Sequence, residues 1–185
     1  MHNTRRRFLA AGAGAAWGAL SATSLHAAAP SPDSDGTPGK TLQLHPIGKV
    51  EKEGKVTRLH VHEPYAKALK GLGGFSHVWV FWWFDRNDKP ERRRVLQVHP
   101  RGNRKNPLTG VFACRSPVRP NLIALTLCNI RSVSDDAVEV ERIDAFAGTP
   151  ILDLKPYIPG CDAPKNAPNL PGWLTGKKPA APPAR

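Results

Sequence analysis

Residues 75–84 of this chain read Phe-Ser-His-Val-Trp-Val-Phe-Trp-Trp-Phe, and this stretch decides the fold. Aromatic side chains and valine dominate it, and both favour a strand over a helix. The stretch is long enough for a central strand that is covered on both faces. It therefore predicts a protein built around a β-sheet.

Further strands are predicted on both sides of this stretch, because apolar runs of strand length are bounded by Gly, Pro, Asn or Asp. The predicted strands span residues 42–50, 55–62, 95–99, 111–114, 122–130 and 137–143. One short helix is predicted at residues 64–70, with proline in its first turn and glycine just past its end. The expected fold is mainly β, a single-sheet closed β-barrel of about seven or eight strands with one short helix.

The composition excludes several classes of protein. The 185 residues include 19 prolines and 16 glycines, which argue against an all-helical fold. No run of strongly apolar residues is long enough for a membrane-spanning helix. Three cysteines without a C-x-x-C motif argue against a disulfide framework or a zinc knot, although a Cys114–Cys128 disulfide stays open. The net charge is +12 for the whole sequence and +9 without its first 29 residues, and it predicts attraction to an anionic partner or simply a solvated basic face.

The N-terminal residues have the layout of an export signal. Three arginines, Arg5, Arg6 and Arg7, precede an uncharged Ala/Gly-rich stretch, and small residues follow at 27–29. Paired arginines before x-Phe-Leu are typical of the twin-arginine route. The prediction is a signal peptide at 1–29, a linker at 30–40, a folded domain at 41–162 and a Pro-rich basic tail at 163–185, in an exported, periplasmic protein.

Residues 110–121 form the densest cluster of candidate functional side chains. Arg115 and Arg119 lie in a proline-interrupted loop between two apolar runs. Because proline restricts the backbone, the loop holds two guanidinium groups in a geometry that suits a carboxylate or phosphate. An equal alternative is that these arginines cap carbonyl groups or pair with Asp144 and Asp153.

Two other clusters carry weaker signals. Residues 144–157 contain a Gly-Thr-Pro turn beside alternating polar side chains, which is more typical of a turn than of a site. Asp85 and Arg86 follow the aromatic strand, where loops at a barrel mouth meet ligands. His60 and His62 share one strand face, but no carboxylate or cysteine stands at a diagnostic spacing. No metal site is predicted.

Three motifs in this order resemble the TsaA-like family, also called TrmO. They are Phe75-Ser-His-x-Trp79, Gly110-Val-Phe-Ala-x-Arg-Ser-Pro-x-Arg-Pro-Asn121 and Gly148-Thr-Pro-x-x-Asp-x-Lys-Pro-Tyr157. The resemblance spans residues 47–159 and implies a single-sheet β-barrel that uses S-adenosyl-L-methionine as its cofactor. It further implies methylation of N6 of threonylcarbamoyladenosine in tRNA, and a homodimer.

By position, the resemblance implies a cofactor site and an acceptor site. The cofactor-binding residues would be Asp85, Arg86, Arg115, Leu125, Arg142, Ile143 and Asp144. An acid suits the ribose or the methionine amine, an arginine suits the methionine carboxylate, and aromatic walls suit the sulfonium. Arg119 and Asn121 would face the acceptor as the catalytic candidates.

The chain also departs from the family motif, and export conflicts with the family's activity. Leu122, Ala124 and Ala147 replace the family's usual proline, glycine and aspartate. Because tRNA and S-adenosylmethionine belong to the cytoplasm, three functions stay open. The first is a methyltransferase that acts before export or on another nucleoside-like acceptor. The second is an exported non-catalytic module that binds a nucleoside, S-adenosylmethionine or an anion. The third is a basic surface for nucleic acid or an anionic envelope.

Overall fold

The computed structural model of the protein describes residues 42–176, which form a mainly β structure. The predicted signal peptide and linker lie outside the described residues, as does the end of the predicted tail from residue 177 onward. Within the described range, no helix is long and apolar enough to cross a membrane.

Six antiparallel strands form one main sheet. Its order is β1-β2-β7-β6-β3-β8, and β1 also pairs with β8, so the strands close into a barrel. A separate two-stranded ladder joins β4 to β5. The strands are β1 (Gly48–Glu53), β2 (Val56–Val61), β3 (His77–Trp83), β4 (Gln97–Val98), β5 (Thr109–Gly110), β6 (Ile123–Val133), β7 (Ala137–Val140) and β8 (Pro150–Pro156).

The helices of the described range are single turns, which lie in the connections between strands and after β8. The α-helices are α1 (Glu63–Ala66), α2 (Pro90–Arg93), α3 (Pro159–Asp162) and α4 (Gly172–Thr175). The 3-10 helices are Lys67–Leu69, Leu72–Gly74, Asp85–Asn87, Pro100–Gly102 and Val111–Ala113. Proline lies at the first or second position of α1, α2 and α3, where its missing N–H costs no hydrogen bond.

The barrel interior is built by the alternation of β3 and its neighbours. Val78, Val80 and Trp82 point inward and are buried, whereas the residues between them are half-exposed on the outer face. The aromatic strand is therefore covered on one face, not on both as its sequence predicted. Buried valine, leucine and isoleucine side chains from β1, β2, β7 and β8 complete the core.

The mainly β fold with one main sheet and few helices is confirmed, but the strand count was wrong. Residues 95–99 contribute only the two residues of β4, which pair with β5 and do not join the barrel. Residues 111–114, predicted as a strand, begin with the 3-10 helix Val111–Ala113. Strand β8 was not predicted, because its bounding prolines were interpreted as turn residues; both stand at strand ends, where proline is tolerated.

The single predicted helix at residues 64–70 is also corrected. The chain there forms α1 followed directly by the 3-10 helix Lys67–Leu69. Single α-helical turns also occur at α2, between β3 and β4, and at α3 and α4, after β8. They are too short to show the apolar periodicity by which longer helices are recognised.

Candidate functional site

All three sequence clusters meet at one end of the barrel. Strand β3 ends at Trp83, which pairs with Ile123, the first residue of β6. Near the same end, Trp82 pairs with Ile151 at the start of β8. Because these strands are antiparallel neighbours, the end of β3 and the loops before β6 and β8 lie side by side.

A cavity of about 400 Å3, which we call the barrel-end cavity, lies between these segments. Its volume is within the range of small-molecule sites. Four of the predicted site residues line it, namely Arg115, Arg119, Leu125 and Asp144. The remaining lining residues are Trp82, Phe84, Phe112, Cys114, Ile123, Ala124 and Thr126.

Aromatic rings form one wall of the barrel-end cavity. The rings of Trp82 and Phe84 meet edge to face with their centroids 4.7 Å apart. The indole Nε1 of Trp82 donates a hydrogen bond to the Thr126 hydroxyl at 3.0 Å, which fixes the ring. Phe112 lies on the loop side of the cavity and is 78% exposed. This wall provides flat apolar faces for an aromatic or cationic ligand.

The two arginines of the loop behave differently. Arg119 donates from Nη1 to the carbonyl groups of Cys114 and Ser116, each at 3.5 Å, and lies 5.9 Å from the Phe112 ring centroid. Arg115 is exposed and forms no salt bridge or hydrogen bond within residues 42–176. The capping alternative therefore describes Arg119, whereas Arg115 presents a free guanidinium group to the cavity.

The predicted acidic partners do not bind these arginines. Asp153 pairs with Lys155 at 2.9 Å, on the strand that leads away from the site. Asp144 lines the cavity and forms no ion pair within residues 42–176. The Arg115 guanidinium and the Asp144 carboxylate, neither of which has an ionic partner within residues 42–176, therefore line the same cavity.

Two contacts position the loop at residues 110–121, which we call the arginine loop, and neither contact was predicted. Arg93 of α2 donates from Nη1 to the Pro120 carbonyl at 2.9 Å and also pairs with Asp88 at 2.8 Å. Leu122 is fully buried, has a φ of 51°, and accepts a hydrogen bond from the Phe84 N–H at 2.9 Å. A proline, fixed near a φ of about −65°, is excluded from this backbone conformation.

The Gly-Thr-Pro turn ties the third cluster to the first strand and to Asp85. Gly148 has a φ of 85°, a conformation that favours glycine, and its N–H donates to the Val50 carbonyl at 2.8 Å. The hydroxyl of buried Thr149 donates to the Asp85 carboxylate at 3.4 Å. Arg86 stacks on the Phe146 ring at 3.6 Å from its centroid. Asp85 and Arg86 thus lie beside the cavity and hold the turn, but they do not line it.

Three other predicted residues stand outside the barrel-end cavity. Asn121 and Arg142 are exposed and do not line it. Ile143 is 5% exposed and packs in the core, and it does not line the cavity. Its carbonyl accepts a hydrogen bond from Nζ of Lys52 at 3.2 Å.

The additional residues at the site were hard to identify from the sequence. Trp82 and Phe84 belong to the aromatic stretch, and two-residue alternation alone could have placed them on one face. Phe112 was expected inside a strand, whereas the 3-10 helix exposes it. No sequence signal identifies Arg93, because its contact with the Pro120 carbonyl depends on how α2 folds back.

The described residues contain no group of three or more His, Cys, Asp or Glu side chains that could hold a metal ion. His60 lies 3.7 Å from the Asp136 carboxylate, and its ring centroid lies 6.2 Å from that of His62. His60 lies on β2 and His62 just after its end, and neither lines the barrel-end cavity.

The three cysteines are free, and their reactivity is expected to differ. Cys128 is 1% exposed inside the barrel, where burial raises the pKa of its thiol to about 11. At pH 8 iodoacetamide should therefore label exposed Cys161 in the folded protein and leave Cys128 unmodified, since the thiolate is the reactive form. Mass spectrometry of the digested protein checks this. Equal labelling of both residues before denaturation would contradict the buried position of Cys128.

Comparison with known proteins gives consistent relationships. The model of the tRNA-methyltransferase O N-terminal domain matches residues 37–163. A probable S-adenosyl-L-methionine-binding protein of Methanocaldococcus jannaschii is 41% identical over 122 residues, which cover 66% of this chain and 97% of the relative. A tRNA (adenine(37)-N6)-methyltransferase of Rattus norvegicus is 46% identical over 99 residues, or 54% of this chain but only 22% of that protein.

A solved structure shares the fold. The crystal structure of TrmO from Pseudomonas aeruginosa superimposes with a TM-score of 0.55 at 27% sequence identity, covering 70% of this chain and 62% of that one. The family match extends over more than half of the chain and includes all three motifs that meet at the barrel end. This chain therefore belongs to the tRNA-methyltransferase O N-terminal domain family.

Proposed function

We propose that the protein is an S-adenosylmethionine-dependent methyltransferase whose cofactor binds in the barrel-end cavity. One observation carries this proposal: Arg115 and Asp144, which have no ionic partner within residues 42–176, line the same aromatic-walled cavity. The ligand that suits this set has a carboxylate, an amine and a flat or sulfonium-bearing apolar part. The relative from Methanocaldococcus jannaschii, nearly all of which the chain matches, is named for binding this cofactor.

In this proposal, different residues of the cavity bind different parts of the cofactor. Arg115 donates charge-assisted hydrogen bonds to the carboxylate, and Asp144 accepts them from the amine. Trp82 and Phe84 provide the apolar faces for the adenine or the sulfonium. When bound, S-adenosylmethionine supplies an electrophilic methyl group on a sulfonium sulfur. The contribution of the protein is to hold that methyl in line with an acceptor atom and to exclude water, which needs no covalent nucleophile.

The proposed acceptor is N6 of an adenosine in tRNA. The rat relative is named for this reaction, but the chain spans only 22% of it. Arg119 lines the cavity, and exposed Asn121 follows it two residues along the same loop, so these two residues are the proposed acceptor-facing side chains. A homodimer remains a prediction, and the mass of the protein in solution tests it.

The experiment is methyl transfer from labelled S-adenosylmethionine to tRNA and to free nucleosides. Arg119→Ala should lower the transfer rate by about tenfold or more while leaving cofactor affinity within about twofold, since contacts made in the transition state affect rate more than ground-state binding. Arg131→Ala is the matched control, because Arg131 lies on β6 and pairs with Glu141 at 3.6 Å, away from the cavity. Equal rates for the parent and Arg119→Ala would remove Arg119 from the acceptor site.

A second candidate is a non-catalytic module that binds the cofactor or a nucleoside. The name of the Methanocaldococcus jannaschii relative favours it, since it describes binding and no transfer. The same assay separates the two. If the parent protein binds S-adenosylmethionine but labels no acceptor, the binding module is the better description.

We also propose export by the twin-arginine route, on the strength of Arg5, Arg6 and the uncharged stretch that follows. A reporter fused after Ala29 should be exported, and changing both arginines to lysine should retain it in the cytoplasm. The protein would then carry out its methyl transfer before export, or act afterwards on a nucleoside-like acceptor. Export of the double-lysine variant at the parental level would contradict the route.

A further inference from the structure

A second and larger cavity adjoins the barrel-end cavity. It measures about 1070 Å3 and lies between the arginine loop, the loop at residues 98–102 and a segment beyond the family match, residues 170–174. We call it the tail cleft. It shares Phe112, Cys114 and Arg115 with the barrel-end cavity, so a ligand in one would lie next to a ligand in the other.

The charge of the tail cleft has one sign. Arg92, Arg101 and Arg115 line it, and no carboxylate among the described residues does. Within residues 42–176, none of these three guanidinium groups forms a salt bridge or hydrogen bond. Uncompensated guanidinium groups around one cleft favour an anion, and phosphate is the anion that arginine binds through two parallel hydrogen bonds.

The loop that carries Arg101 is held in a strained conformation. Arg101 has a φ of 60°, which is costly for a residue other than glycine. Two hydrogen bonds hold the loop in place. Nδ1 of the His99 ring donates to the Asn106 carbonyl at 2.7 Å, and the Asn106 side-chain amide donates to the Pro100 carbonyl at 2.8 Å. Strain that the surroundings maintain in this way is concentrated at ligand-binding positions.

Aromatic rings line the cleft beside these cations. Trp173 stands on the single turn of α4 and is half-buried, and Phe112 is 78% exposed. A flat apolar face next to an unpaired guanidinium matches a base and its phosphate. An inorganic anion would leave the rings unused, and an apolar ligand would leave the charges of Arg92 and Arg101 unpaired even where Arg115 binds the cofactor carboxylate.

We propose that the tail cleft binds a nucleotide of single-stranded RNA that flanks the acceptor, with its base on Trp173 and its phosphate at Arg101. The inference rests on the proposed function, since it names how an RNA acceptor is held. It assigns the wall at residues 170–174 a part in substrate binding. The cleft then positions the acceptor strand across Phe112 and Arg115, at the opening of the barrel-end cavity.

The test is the affinity of the full-length protein for a fluorescein-labelled seven-nucleotide single-stranded RNA, measured by fluorescence anisotropy without cofactor. Trp173→Ala and Arg101→Ala should each weaken binding by about tenfold or more, the scale of one lost stacking contact or one charge-assisted contact. Trp173→Phe retains a stacking face and should stay within about threefold of the parent. Thermal unfolding confirms that each variant is folded.

Arg58→Ala is the matched control, because it removes the same charge from β2, where Arg58 pairs with Glu53 at 3.5 Å. It should change the RNA affinity by at most about twofold, which is the effect expected from losing one surface charge that attracts RNA non-specifically. A base-free polyphosphate should compete poorly. The proposal is overturned if Arg58→Ala weakens binding as much as Arg101→Ala, if Trp173→Ala has no effect, or if polyphosphate competes as well as unlabelled RNA.

The result is independent of the proposed cofactor. If RNA binding depends on Trp173 and Arg101 but the protein does not bind S-adenosylmethionine, the proposed RNA site stands and the proposed methyltransferase function is rejected. If the protein binds the cofactor but its RNA binding does not depend on either residue, the methyltransferase proposal stands and the RNA site is rejected.

Discussion

Arg115→Ala is expected to weaken S-adenosylmethionine binding by about 10- to 150-fold, which corresponds to about 1.5–3 kcal/mol. The physical reason is that the Arg115 guanidinium lines the barrel-end cavity and forms no salt bridge or hydrogen bond within residues 42–176. Its loss would leave the cofactor carboxylate without its cationic partner. Isothermal titration calorimetry measures the effect directly.

Two further variants make the result specific. Arg115→Lys keeps the charge but loses the planar pair of donors, so its affinity should fall between that of the parent and that of the alanine variant. Arg131→Ala removes an arginine that already pairs with Glu141 and should bind as the parent does. A dissociation constant for Arg115→Ala that equals the parental value would make Arg115 a structural residue.

Gly48→Ala is expected to lower the free energy of unfolding by about 3 kcal/mol or more, at or above the upper end for overpacked sites. Gly48 pairs with Val61 on one side and with Ile151 on the other, at the seam where β1 meets β8. An added Cβ would overlap the backbone carbonyl oxygen of His60 and approach the Cα of Val61 to 3.1 Å. These backbone atoms of β2 leave the methyl group no room.

The control for Gly48→Ala is Gly74→Ala. A Cβ at Gly74 would meet nothing within 4 Å, and its backbone does not need a positive φ. Differential scanning calorimetry should show a melting temperature lower by about 6–12 °C for Gly48→Ala, given the usual scale for chains of this size. Gly74→Ala should unfold close to the parental temperature. Equal melting temperatures for Gly48→Ala and the parent would contradict the close packing at the seam.

Local patterns predicted much of the barrel and failed where the fold depends on distant contacts. The alternation of Val78, Val80 and Trp82 is a property of the strand itself, so β3 was predicted within a few residues. The two residues of β4 are strand-like only because β5 folds against them. Strand β8 pairs with β3 over most of its length, and that partnership outweighs the prolines at its ends.

The site was predictable to the extent that antiparallel neighbours bring their ends together. Arg115 lies in the loop before β6 and Asp144 in the loop before β8. These loops meet at one end of the barrel, and both residues line one cavity there. The sequence could not distinguish Arg119, which caps carbonyl groups, from Arg115, which has no partner. That distinction depends on the path of the loop, which Arg93 fixes from a separate helix.

The most direct test of this account is calorimetric titration of the purified protein with S-adenosylmethionine and S-adenosylhomocysteine. The account predicts saturable binding of both, with one molecule per barrel-end cavity and a marked loss of heat in Arg115→Ala. A parent protein that unfolds cooperatively but shows no saturable heat with either compound would contradict it.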